Sequence, residues 1–77
     1  MEKKLSEFTI GDEGEVKQVN GEGRIRRRLF DMGITPGAKI VMKKLAPFGD
    51  PMEVTLRGYE LTLRKSEADY VIMTVNG

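Results

Sequence analysis

Gly23-Arg24-Ile25-Arg26-Arg27-Arg28-Leu29-Phe30-Asp31-Met32-Gly33-Ile34-Thr35-Pro36-Gly37 is the one stretch of this chain whose apolar residues recur with a helical period. Ile25, Leu29 and Met32 stand at i, i+4 and i+7, so an α-helix over residues 24–32 stacks them on one face. Gly33 falls where a helix ends in a left-handed residue, with Ile34 placed to pack back behind it. Pro36 then forbids a restart, and Gly37 permits the turn into the next element. Leu29 and Ile34 read as core, Gly33, Pro36 and Gly37 as structural.

On either side the period falls to two. Residues 15–19 read as a strand after the turn Gly11-Asp12-Glu13-Gly14, with residues 5–10 as a short lead-in, and Asn20-Gly21-Glu22-Gly23 breaks the strand before the helix. Beyond the helix, residues 39–45 are strand-like, and Ala46-Pro47-Phe48-Gly49-Asp50-Pro51 is a loop by composition. Met52, Val54 and Leu56 alternate with polar residues, Arg57-Gly58 suits a two-residue hairpin turn, and Tyr59, Leu61 and Leu63 alternate again. Residues 65–69 have room for a single helical turn before a last strand over 70–75. Five short strands and one helix in 77 residues cannot form a two-layer α/β sheet. Curling the sheet on itself hides its edges, which gives a mainly β fold: an SH3-like small barrel with one short inserted α-helix, a single domain over residues 1–77 with its core in about 5–75.

Composition limits what such a domain does. There is no cysteine and no histidine, which removes disulfides, thiolate nucleophiles and imidazole bases by inventory. Lys and Arg number 13 against 12 Asp and Glu, so bulk electrostatics do not hold the chain on nucleic acid, and no nucleic-acid partner is expected. The start of the chain lacks an apolar signal region, and no run approaches the ~20 apolar residues of a membrane helix. A cytoplasmic location without membrane insertion is the expectation. Oligomeric state is not legible.

Arg24, Arg26, Arg27 and Arg28 crowd the start of the helix, where the helix dipole disfavours each cation by ~0.3–1 kcal/mol. As a group they read as an anion- or carboxylate-binding face for a partner; singly, each is as well explained by solvation or by pairing with Asp31, Glu22 or Glu13. Phe30 lies off the apolar stripe, either as an exposed interface anchor or packed under the loop at 46–51. Phe48 is a second aromatic candidate, on a loop whose Asp50-Pro51 is ordinary turn chemistry launching a strand. Asp12, Glu13 and Glu15 cluster at one turn and Glu67 and Asp69 at another, neither with the spacing of a calcium loop. Transition-metal sites draw on imidazole or thiolate, so neither a metal site nor a catalytic residue nor a cofactor is assigned.

The order of these signals resembles a known family. Gly14-x-Val16-x-x-Val19, then Arg27-Arg28-Leu29-x-x-Met32-Gly33-Ile34-x-Pro36-Gly37, then Gly49-Asp50-Pro51, then Leu63-Arg64-x-x-Glu67-Ala68, is similar to the FeoA family of bacterial ferrous iron transport accessory proteins. The resemblance implies an SH3-like barrel with an inserted helix, a label of transition-metal binding, and a non-catalytic cytoplasmic protein. It also implies docking on the cytosolic region of the FeoB-type iron transporter, a membrane protein with a GTPase domain. Of the matched residues, Arg27 and Arg28 are the ones suited to touch that partner. A small barrel binding single-stranded RNA or the ribosome through the arginine-rich helix is the rival reading.

Overall fold

A computed structural model describes residues 1–75. Along the chain lie β1 (Glu2–Lys4), a 3-10 turn (Leu5–Glu7), β2 (Glu13–Val19), α1 (Arg24–Asp31), β3 (Lys39–Leu45), β4 (Met52–Leu56), β5 (Tyr59–Leu63), α2 (Lys65–Ala68) and β6 (Val71–Thr74). All strand pairs are antiparallel and form one sheet in the order β1-β6-β2-β3-β4-β5. The fold is the SH3-like small barrel with one inserted helix. Its two end strands, β1 and β5, do not pair with each other, so the barrel is open between them.

Among the described residues six strands are present where five are expected. Glu-Lys-Lys at β1 carries no apolar alternation, yet it pairs with β6 through Glu2 to Thr74, Lys3 to Met73 and Lys4 to Ile72. An edge strand needs only backbone pairing, and charged side chains there guard the edge against further pairing. β2 also starts two residues before the expected Glu15, because Glu13 and Gly14 pair with Val41 and Ile40 of β3; Gly14 also lies against β6, where a Cβ would sit 2.5 Å from the Thr74 carbonyl oxygen.

Two bulges bend the sheet. Register slips at Lys17 in β2 and at Lys43 in β3, the extra residue each time being an exposed lysine. A bulge increases local twist, which is how so short a sheet curls far enough to enclose a core. That core is apolar throughout: Leu5, Leu29, Ile34, Ile40, Val54, Leu56, Val71 and Met73 are fully buried, and no polar side chain is buried among the described residues. Arg57 and Gly58 both take positive φ (51° and 84°), the requirement of a type I′ hairpin turn, so the β4–β5 connection is as tight as expected.

α1 contributes Leu29 to this core, while Met32 is half-buried as the C-cap residue, one position beyond the helix proper. Ile25 departs from the expected stripe. It is 36% exposed, because residues 24–28 are exposed throughout and the first turn stands clear of the barrel.

Candidate interaction face

The end of α1 is fixed by backbone chemistry. Ile34 N–H donates to the Leu29 carbonyl (3.0 Å) and Gly33 N–H to the Phe30 carbonyl (2.9 Å), a Schellman closure with Gly33 at φ 91°. Thr35 to Ala38 then form a type II turn, with Ala38 N–H donating to the Thr35 carbonyl at 3.0 Å, Pro36 at its second position and Gly37 at φ 92°. The Tyr59 hydroxyl donates to the Met32 carbonyl at 2.8 Å, tying the end of the helix to the start of β5. Nothing comparable closes the other end: Gly23 supplies no side-chain cap, and the first turn holds no acid.

The four arginines divide into two kinds. Arg26 Nε donates to the Val19 carbonyl at 3.4 Å, and its guanidinium lies 4.5 Å from the centre of the Phe30 ring. Phe30 is therefore half-buried, packed against the core and covered by Arg26, rather than a free aromatic anchor. Arg28 Nε meets Glu67 at 2.7 Å, and the other carboxylate oxygen of Glu67 accepts the Arg64 N–H at 2.9 Å. Glu67 thus caps α2 and holds α1 at once. The pairing of an arginine with Asp31, Glu22 or Glu13 does not form. Arg24 and Arg27 have neither an ion pair nor a side-chain hydrogen bond among the described residues.

Arg24, Arg27, Arg28 and Asp31 share one side of α1 and, with Met32, Leu61 and Thr62, line a shallow groove between the helix and β5. Phe48 lies elsewhere, at the tip of a turn over residues 46–49 closed by Gly49 N–H to the Ala46 carbonyl (2.7 Å). It is 94% exposed, and neither groove beside α1 includes it. Asp50 has a structural task beyond launching β4 through Pro51, since its Oδ1 accepts the Lys65 N–H at 3.0 Å. Leu29, buried in the core, and Gly33, Pro36 and Gly37, in the two turns that follow α1, lie at the helix and its exit.

Two residues of this arrangement escape sequence reasoning. Tyr59 looks like an alternating strand residue and proves to be a helix clamp. Glu67 belongs to the Arg64-x-x-Glu67 signal, but its partner Arg28 is distant in the chain.

Asp12 and Glu60 are employed structurally. Asp12 accepts from the Thr9 N–H (2.9 Å), from Lys3 Nζ (3.1 Å) and from the Thr9 hydroxyl (3.2 Å), and these bonds, the Thr9 amide first, hold its carboxyl below the usual range. Lys43 and Glu60 pair at 2.6 Å, which lowers the glutamate and raises the lysine. No three acidic side chains converge among the described residues, and the sequence has no histidine or cysteine. This donor set does not fit a transition-metal site. Among the described residues no helix is long and apolar enough to cross a membrane.

A family model described as the FeoA domain matches residues 3–75. The chain belongs to the FeoA family. A Porphyromonas gingivalis protein, described as a Fe(2+) transport protein A/Fe(2+) transporter FeoB fusion, is 34% identical over 65 residues, covering 84% of this chain. The chain spans only 8% of that fusion protein. An FeoA-like protein from Clostridium acetobutylicum superposes with a TM-score of 0.87 at 42% identity, over 94% of this chain and 84% of the other. FeoA from Stenotrophomonas maltophilia, complexed with zinc and described as a prokaryotic SH3 domain protein, gives 0.80 at 29% identity over 94% of this chain and 89% of its own. This FeoA-family chain therefore shares its barrel with relatives named for ferrous iron transport.

Proposed function

We propose that this chain is a non-catalytic accessory module that docks on the cytosolic region of a FeoB-type ferrous iron transporter and modulates it, with Arg24 and Arg27 as its principal contacts. The observation that carries this reading is the fusion in Porphyromonas gingivalis, where a unit related to this chain shares one polypeptide with the transporter. Covalent linkage raises the effective concentration of one unit at the other, which matters only if the two engage. The arginines supply the means. Arg24 and Arg27 hold charge at the disfavoured end of α1 without intramolecular compensation, an arrangement suited to carboxylates on a partner. Arg28 lies beside them on that face, Arg26 and Phe30 line the groove on the other side of α1, and exposed Phe48 offers a separate apolar contact. Ferrous iron is the transporter's cargo in this reading and is not held by the accessory chain.

The test is a calorimetric titration of the chain into the soluble cytosolic region of a FeoB-type transporter, paired with ferrous uptake in cells lacking the chain. Saturable binding with altered uptake is the expected result. Absence of binding together with unchanged uptake would remove the proposal.

A further inference from the structure

The two ends of the sheet differ in how they meet solvent. β1 carries Glu2, Lys3 and Lys4, the charged and lysine-rich dress of a guarded edge. β5 carries one charge, Glu60, and Lys43 already neutralises it. The hairpin register decides which backbone groups of β5 are free. With a two-residue turn, Leu56 and Tyr59 form the closing hydrogen-bonded pair, and bonding alternates from there through Val54 with Leu61 and Met52 with Leu63. The N–H and C=O groups of Glu60 and Thr62 therefore point away from β4, and among the described residues no strand pairs with them.

Beside this edge lies the groove lined by α1. Its floor includes half-buried Leu61 and Met32, and its far wall carries Arg24 and Arg27. Arg28 on the same wall is neutralised by Glu67, and Asp31 stands at the Met32 end. We propose that the free edge of β5 and the Arg24–Arg27 stripe of α1 together receive an extended acidic segment of a partner protein as an added strand. The backbone of that segment pairs with Glu60 and Thr62, and its carboxylates meet the two unpaired arginines. Tyr59 holds Met32 and Glu67 holds Arg28, so the arginine-bearing turn lies toward α2. The carboxylates belong on that half of the segment, since Asp31 repels them from the other. A single-stranded nucleic acid would satisfy the arginines but leave the strand groups of Glu60 and Thr62 without partners. The inference rests on the accessory reading only in taking the partner to be a protein.

The test uses the intact chain, labelled for amide-resolved hydrogen exchange, and a short capped peptide of alternating threonine and glutamate. At saturation the peptide is expected to slow exchange at the Glu60 and Thr62 amides by more than about tenfold, as new backbone bonds require. Thr62→Pro removes an outward donor while sparing the β4 ladder, and Arg24→Glu with Arg27→Glu reverses the wall. Each is expected to weaken binding at least tenfold with the folded spectrum of the free chain retained. A threonine–lysine peptide should not bind. Unprotected Glu60 and Thr62 amides, binding indifferent to Thr62→Pro, or tighter binding of a short polyuridylate to this groove would each overturn the inference. The same readout with the cytosolic region of a FeoB-type transporter separates the two proposals. Binding that leaves Glu60 and Thr62 exchanging freely overturns the edge site alone. Peptide protection without binding of that region, with ferrous uptake unchanged, upholds the edge site and removes the transporter reading.

Discussion

Gly33 shows how much of the helix geometry rests on single residues. Its φ of 91° is left-handed, and a Cβ there would lie 2.6 Å from the Tyr59 hydroxyl and 3.3 Å from a Leu56 methyl. Gly33→Ala therefore meets both strain and the loss of the Tyr59 clamp, and urea denaturation should show a destabilisation on the order of 1–3 kcal/mol. Tyr59→Phe removes only the bond to the Met32 carbonyl, for an expected cost of about 0.5–1.5 kcal/mol by the same measurement. Ionisation at single residues sets the response to pH. Asp12 and Glu60 have lowered pKa values in the folded chain, so their stabilisation is complete above their unfolded values and is lost as pH falls through the lowered ones. Lys43 is raised, so its contribution is present below the ordinary lysine value and disappears as pH rises through the raised one. Asp12→Asn should flatten the acid side of the stability–pH curve and leave the alkaline side unchanged.

At the scale of elements, the proposed docking role has α1 trade stability against interaction. Its first turn has no acid and no side-chain cap, while exposed Arg24 stands at the positive end of the dipole. Arg24→Glu should therefore raise the unfolding free energy by about 0.3–1 kcal/mol while weakening partner binding. A substitution that stabilises the free chain and impairs its complex marks a residue retained for contact. The helix and its stop were legible because the period, the left-handed glycine and the following proline are all local. β1 was not, because a charged edge strand needs only backbone pairing and leaves no apolar alternation to read. Which arginines are free was equally hidden. That depends on Glu67 reaching Arg28 and on Val19 and Phe30 receiving Arg26, contacts made across the fold. The sequence nominates four arginines, and the family resemblance favours Arg27 and Arg28, where the structure leaves Arg24 and Arg27 unpaired among the described residues.

The whole molecule has little stability to spare. A domain of this size buries a modest core, and Leu29 is both fully enclosed in it and the main anchor of α1. Leu29→Ala should cost roughly 2–5 kcal/mol, a large part of the total for so small a barrel, and shows as a lowered urea midpoint. The curled sheet thus serves as a rigid mount that holds one short helix beside one open strand edge. The most direct test compares the affinity of the wild-type chain and the Arg24→Glu, Arg27→Glu variant for the cytosolic region of a FeoB-type transporter, in matched salt. The account predicts at least a tenfold loss of affinity in a variant as stable as the wild type or more so. Equal affinity for the two proteins would contradict it.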